Sequence, residues 1–154
     1  MKYGCIGEHL KHSFSKEIHS LIADYDYEIR EIERDSLEGF IRRRDFLGIN
    51  VTIPYKELVI PHLYRIDDAA ERIGAVNTIV KRDGRLYGYN TDFYGMQTLL
   101  ASIPLSLTDK KVLILGTGGT AKTAHAVAKA SGIAAASIIE QFSGTGISIS
   151  YFTL

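Results

Sequence analysis

Residues 112–124 read VLILGTGGTAKTA, an apolar run, a glycine turn and the start of an alanine-rich helix in direct succession. No other feature constrains the fold as tightly. Strand, G-x-G-x-x-A and helix in that order open a dinucleotide-binding βαβ unit. Gly116 permits the tight turn, Gly118 lets the backbone approach a pyrophosphate, and Ala121 keeps helix and strand close. The N–H groups at the helix start favour the anion. The candidate cofactor-binding residues are therefore Gly116, Thr117, Gly118, Gly119, Thr120 and Ala121. The competing reading is a glycine turn that serves chain reversal alone. The helix is expected over Thr120–Ser131 with Gly132 as its stop, followed by an apolar strand over Ile133–Ile139. A ribose-binding acid would follow the first strand by about 20 residues, and Glu140 stands near that place, which on spacing alone points to NAD.

Upstream of this unit the pattern again alternates strands with helices. Tyr3–Gly7 reads as a buried strand feeding a polar loop. Ser15 is the expected N-cap of an amphipathic helix carrying Ile18, Leu21, Ile22 and Tyr25 at helical spacing. Tyr25, Tyr27 and Ile29 alternate as in a strand, and Leu37, Phe40 and Ile41 predict a second helix after Asp35 and Ser36. Leu47–Ile53 predicts a strand closed by Pro54, and Asp67–Ile73 a helix. Val76–Lys81 and Arg85–Tyr89 flank Asp83-Gly84, a two-residue hairpin signal. A helix from about Asp92 carries Phe93, Met96, Leu99 and Leu100. The expected fold class is α/β: an N-terminal α/β domain with a mainly parallel sheet over 1–101, a linker over 102–110, and the first βαβ part of a Rossmann domain over 111–154.

Bulk properties exclude several classes of function. Eighteen basic residues balance eighteen acidic ones, so nothing electrostatic favours nucleic acid or an anionic membrane. The single cysteine, Cys5, rules out an internal disulfide and a cysteine-rich metal framework, and its apolar surroundings predict a buried structural thiol. The opening MKYGCIGEHL lacks the apolar core of a signal peptide, and no run reaches the roughly 18 apolar residues of a membrane span. A cytoplasmic protein without a metal is the expectation.

A set of polar residues falls at strand ends: Ser13 and Ser15, Asn50 and Thr52, Lys56, Asn77, Thr91 and Asp92. Taken singly, each has a structural role open to it: Ser15 and Asp92 as helix caps, Lys56 as a solvated cation, Asn77 bonded to its own backbone. Together they offer hydroxyls, amides, one ammonium and one carboxylate, a set suited to a small hydroxylated acid.

Residues 11–19, KHSFSKEIH, resemble the S-x-S substrate loop of shikimate dehydrogenases. Residues 50–57, NVTIPYKE, resemble that family's lysine motif, residues 73–80, IGAVNTIV, its asparagine motif, and residues 88–95, GYNTDFYG, its aspartate motif. The motifs follow the family's order, and GTGGTAKTA over 116–124 is similar to its cofactor loop. The resemblance implies that Ser13 and Ser15 hold the substrate carboxylate, that Thr52 and Asn77 bind ring hydroxyls, and that Lys56 and Asp92 act at the oxidised carbon. It implies NADP as cofactor, with Gly116–Ala121 at the phosphates and, more loosely, Asp68 directed toward the cofactor. The implied activity is reversible reduction of 3-dehydroshikimate to shikimate, in the biosynthesis of chorismate and the aromatic amino acids. Reducing a ketone by hydride leaves an alkoxide that needs a proton, and a lysine tuned by burial and a carboxylate answers that need.

The resemblance runs from about Tyr3 to about Ile139. Beyond it, the places of the family's 2′-phosphate contacts fall near Phe142, Ser143 and Gly144, and no arginine follows Arg85. A truncated Rossmann domain is thus expected, with apolar edges that favour a second copy. Three readings stay open: an NADP enzyme, an inactive shikimate-binding remnant or module that needs a partner chain, and a quinate/shikimate enzyme using NAD through Glu140.

Overall fold

In the computed structural model, which describes residues 1–10, 13–104, 106, 108–116, 118–133, 135–143 and 146–152, the chain divides into two units, Met1–Asn90 and Thr91–Leu154. Among the described residues of the first unit, six strands form one sheet: β1 (Tyr3–Gly7), β2 (Tyr27–Glu31), β3 (Gly48–Val51), β4 (Arg65–Ile66), β5 (Thr78–Arg82) and β6 (Arg85–Tyr89). Their order is β2-β1-β3-β5-β6-β4. β1 lies parallel to β2 and β3, and β4 parallel to β6, while β5 runs antiparallel to β3 and β6. Parallel neighbours need crossover connections, which α1 (Ser15–Ile22) and α2 (Leu37–Arg43) supply. The β5–β6 connection is the tight turn expected, with positive φ at both Asp83 (50°) and Gly84 (72°).

Pairing register sorts the sheet into two unlike faces, because directly paired residues point the same way. One face presents Ile6, Ile49, Val51, Ile79 and Leu86, which pack with Leu37, Phe40 and Ile41 of α2 and with the buried Phe46, Tyr55 and Val59. This is the hydrophobic core. Helix α3 (Asp68–Ile73) adds Ala70 to it. Asp67, expected within that helix, instead caps it, its carboxylate accepting from the Ala70 N–H at 2.9 Å and the Asn90 N–H at 3.2 Å. The other face carries Tyr3, Cys5, Tyr27, Asn50 and Thr78. A cavity of about 420 Å³ opens there, lined by Tyr3, His19, Tyr27, Asn50, Thr78 and Lys81 among others.

In the second unit, α4 (Thr91–Ala101) packs against α5 (Gly119–Ala130). Among its described residues three strands pair as β7-β8-β9: β7 (Lys111–Leu115) is parallel to β8 (Ala135–Ser143), which is antiparallel to β9 (Gly146–Phe152). Strand, glycine turn, helix and parallel strand are the βαβ unit read from the sequence. Val112 packs with Ala128 and Ile133, whereas Leu113 and Leu115 are each 60% exposed on the other side of β7. Among the described residues no helix is long and apolar enough to cross a membrane.

Several expectations need correction. Ser15 does not cap α1: Phe14 takes the N-cap position without a side-chain bond, and Ser15 is the first helical residue. Tyr25 belongs to neither α1, which ends at Ile22, nor β2, which begins at Tyr27. The apolar stripe of α1 faces outward, with Ile18, Leu21 and Ile22 all exposed. Val76 and Asn77 precede β5 rather than lie in it. Strands β4 and β9 were not legible: β4 spans two residues, and β9 alternates small polar with apolar residues outside any expected element.

Candidate functional site

Four backbone hydrogen bonds bring the predicted polar residues to one end of the first unit's sheet. The Thr52 N–H donates to the Ile6 carbonyl at 3.0 Å, which sets Thr52 beside the end of β1. The fit is close, since a Cβ on Gly7 would lie 2.7 Å from the Thr52 methyl. Lys56 is held by a bond from the Val76 N–H to its carbonyl at 2.7 Å. Asn77 is clamped on both sides of its peptide, its carbonyl accepting from the Val51 N–H at 2.8 Å and its N–H donating to Tyr89 at 3.0 Å. Lys56 thus lies next to Val76 and Asn77, and Thr52 next to Ile6 and Gly7.

The chain between Thr52 and Val59 winds through successive turns, with Tyr55 N–H to Thr52 at 2.9 Å and Val59 N–H to Tyr55 at 3.1 Å. Tyr55 is wholly buried and its hydroxyl donates to the Ile32 carbonyl. That anchor holds the turn on which Lys56, half-buried, stands.

Ser13 and Ser15 come from the loop after β1. The Leu10 N–H bonds the Glu31 carboxylate at 2.7 Å, and the Ser13 N–H donates to the Leu10 carbonyl at 3.1 Å. The Ser13 hydroxyl donates to the Ser15 hydroxyl at 3.1 Å and accepts from the Ser15 N–H at 3.3 Å. Ser13, not Ser15, therefore serves the start of α1. Ser15 in turn lies beside the Cys5 thiol and the Tyr27 hydroxyl. Burial pushes the Cys5 thiol up, against the lowering influence of the Ser15 hydroxyl and the Lys56 charge. Burial also raises Tyr27, helped by Cys5 and Tyr25 and opposed by Ser15. Both groups stay neutral, and Cys5 is a buried thiol as the sequence implied. The influence of Lys56 on Cys5 ties the ammonium to the same locality as the two serines.

The structure thus gathers Ser13, Ser15, Thr52, Lys56 and Asn77 at the carboxyl ends of β1 and β3 and the entry to β5. Ligands in open α/β sheets bind outside such strand ends. Asp68 is exposed in the first turn of α3, next to the capping Asp67. Asp92 is half-buried in the first turn of α4, in the second unit. Sequence reasoning placed Asn50 in the polar set but gave no site role to Tyr27 or Thr78. Tyr27 donates to the Asn50 side-chain oxygen at 2.6 Å, Asn50 donates to the Thr78 hydroxyl at 3.3 Å, and Thr78 donates to the Asn77 side-chain oxygen at 3.0 Å. The signal for Tyr27 was present in its strand alternation, but alternation reports a shared face and not a hydrogen bond.

In the second unit, Gly116 has φ 108°, a conformation that favours glycine. Gly118 is the N-cap of α5, with no side chain bonded to the helix start. A Cβ on either glycine would meet no protein atom within 4 Å, so open space lies over the turn. Ala121 is buried at 8% exposure, as close packing of helix on strand requires. Gly119 and Thr120 form the first turn, and Thr117 lies outside the described residues. Helix-start amides facing open space fit a dinucleotide pyrophosphate.

Residues 5–79 match the family described as the shikimate dehydrogenase substrate binding domain. The chain is 44% identical over 128 residues to the shikimate dehydrogenase (NADP(+)) of Clostridium beijerinckii, covering 78% of this chain and 47% of that one. Among solved structures, it is similar to shikimate dehydrogenase 1 of Peptoclostridium difficile, with a TM-score of 0.79 and 39% identity over 88% of this chain and 54% of that one. The Thermus thermophilus shikimate 5-dehydrogenase in complex with NADP(H) and shikimate gives a TM-score of 0.74 and 31% identity, over 87% of this chain and 54% of that one. The chain spans about half the length of the curated relatives it matches.

Proposed function

The chain belongs to the shikimate dehydrogenase family, and on that premise we propose that it takes part in the NADP-dependent, reversible reduction of 3-dehydroshikimate to shikimate. The observation that carries the proposal is the convergence of Ser13, Ser15, Thr52, Lys56 and Asn77 at one end of a single sheet. Shikimate is a small ring bearing one carboxylate and several hydroxyls. Paired serine hydroxyls suit the carboxylate, while Thr52 and Asn77 suit ring hydroxyls. When bound, NADPH supplies the hydride. Lys56 gives its proton to the oxygen that was the carbonyl, and in the reverse direction takes it back. Asp92 and Asp68 keep the roles that the resemblance implies, Asp92 as orienting carboxylate and substrate contact, Asp68 toward the cofactor.

Gly116, Gly118, Gly119, Thr120 and Ala121, with Thr117, would receive the dinucleotide phosphates. Gly118→Asp tests this directly. A Cβ there meets no protein atom within 4 Å, so the melting temperature should stay within a few degrees, while a carboxylate beside the helix start should lower NADP affinity more than about tenfold. Fluorescence titration with NADPH and a thermal melt measure both. Unchanged affinity would remove the glycine turn from the cofactor site.

A second reading, binding of shikimate without turnover, is supported by Phe142, Ser143 and Gly144 standing in sequence where the family's 2′-phosphate contacts would fall. A third uses NAD through Glu140, which stands where the β8–β9 pairing breaks register between Ile139 and Gln141. Following reduced-nicotinamide absorbance with NADP and with NAD, beside a shikimate titration, separates them. Turnover with NADP supports the enzyme, turnover only with NAD the third reading, and binding alone the second. The exposed Leu113 and Leu115 also favour association of the second unit with another copy.

A further inference from the structure

The five polar residues of the first unit do not stand independently. From Tyr27 a run of hydrogen bonds points one way: Tyr27 hydroxyl to Asn50 Oδ1 at 2.6 Å, Asn50 Nδ2 to Thr78 Oγ1 at 3.3 Å, Thr78 hydroxyl to Asn77 Oδ1 at 3.0 Å. Each middle group accepts from one neighbour and donates to the next. A side-chain amide has an acceptor end and a donor end, and its neighbours decide which way round it sits. In the structure the order starts at the Tyr27 end, whose hydroxyl donates to Asn50. Tyr27 is buried at 6% exposure and stacked on the His19 ring at 3.8 Å, so its hydroxyl cannot turn to solvent. A phenol that donates to Asn50 obliges Asn50 to show its oxygen to Tyr27 and its NH2 to Thr78. Thr78 then spends its only proton on Asn77 Oδ1, which leaves Nδ2 as the end Asn77 offers to its other contacts.

We propose that Tyr27 is a positioning residue of this site: through Asn50 and Thr78 it fixes the orientation of the Asn77 amide, so that Asn77 meets a ligand hydroxyl as a donor. Tyr27 also lies beside Ser15. It therefore couples the serine pair at the carboxylate end to the asparagine at the ring-hydroxyl end, two places 62 residues apart in sequence that must match one rigid ring. The ligand part of the inference rests on the function proposed above, whereas the orientation of the amide does not.

The experiment reads the Asn77 side-chain NH2 signals of the ligand-free chain by nitrogen–proton NMR, assigned by their loss in Asn77→Asp. Tyr27→Phe and Thr78→Val remove one hydroxyl each at nearly constant volume, and both should shift or broaden the Asn77 pair. Thr78→Ser keeps the hydroxyl and should restore the wild-type pair. Tyr25→Phe lines the same cavity but loses a bond to His19, and should leave Asn77 unmoved. If Tyr27→Phe fails to fold, the Thr78→Val and Thr78→Ser pair decides alone. Asn77 signals that coincide with wild type in the folded Tyr27→Phe and Thr78→Val chains would overturn the proposal. In shikimate titrations Tyr27→Phe should lose about three- to tenfold in affinity, the scale of one hydrogen bond. A wild-type chain that binds no shikimate refutes the functional reading, and the NMR comparison still decides the relay.

Discussion

Lys56→Ala should lower NADP-dependent turnover of shikimate by about 10²–10⁴-fold, the range that general acid–base catalysis contributes, while shikimate affinity stays within about tenfold, roughly 1.4 kcal/mol. The asymmetry follows from how Lys56 is held. Its carbonyl, not its side chain, accepts the Val76 N–H at 2.7 Å, and alanine preserves that bond. The neighbouring Tyr55 anchor to Ile32 is likewise untouched. On the proposed role, what is lost is the ammonium that transfers the proton, while the groups proposed to hold the ring remain. Steady-state rates and calorimetric affinities of the variant and the parent chain measure both halves. A variant that keeps ordinary turnover contradicts the proton-transfer role, and one that loses binding more than a hundredfold makes Lys56 a binding residue instead.

Phe46→Ala should destabilise the first unit by about 3–5 kcal/mol, the usual result of removing a buried phenylalanine. Phe46 is 2% exposed and stacks on Phe40 with ring centroids 5.6 Å apart and planes 11° from parallel. Phe40 belongs to α2 and the ring pair joins that helix to the apolar sheet face, so the cavity would open in the middle of the core. Small domains hold about 5–15 kcal/mol in total, so the loss takes a large share. Phe14 offers the comparison within the same unit: at 73% exposure, its replacement by alanine should shift stability by about 0.5 kcal/mol or less. Urea unfolding of both variants tests the contrast, and equal midpoints would mean that the core is not where the fold places it.

The parts of the fold that were legible are those in which local chemistry and tertiary packing demand the same thing. Asp83-Gly84 requires positive φ at both residues and obtains it, and Gly132 follows α5 with φ 71°. The glycine turn falls between β7 and α5 as spacing implied. Where the readings failed, a longer-range partner overrode the local signal. Ser15 is a good N-cap residue, but the Ser13 hydroxyl already accepts from its N–H, which draws Ser15 into the helix and toward Cys5 and Tyr27. Val76 and Asn77 have strand-like neighbours, yet their N–H groups bond Lys56 and Tyr89, so regular pairing begins only at Thr78. Strand β4 depends on β6 for its existence, and two residues carry no period of their own.

The site shows the same division. The serine pair, Thr52, Lys56 and Asn77 could be named because motif resemblance picks out residues by position. Tyr27 and Thr78 could not, since their part is to bond other side chains across β1, β2, β3 and β5, and that depends on sheet order. The order β2-β1-β3-β5 sets Tyr27, Asn50 and Thr78 on one face, whereas in sequence they are separated by 23 and 28 residues.

The proposed function requires two serine hydroxyls, a threonine, a lysine and an asparagine to form one pocket for a hydroxylated carboxylate. Calorimetric titration of the chain with shikimate, and then with its methyl ester, tests it most directly. Saturable one-to-one binding of shikimate that weakens at least about tenfold for the ester, with the difference removed in the Ser13→Ala/Ser15→Ala chain, is the expected result. Equal binding of acid and ester, or no binding of either, would contradict it.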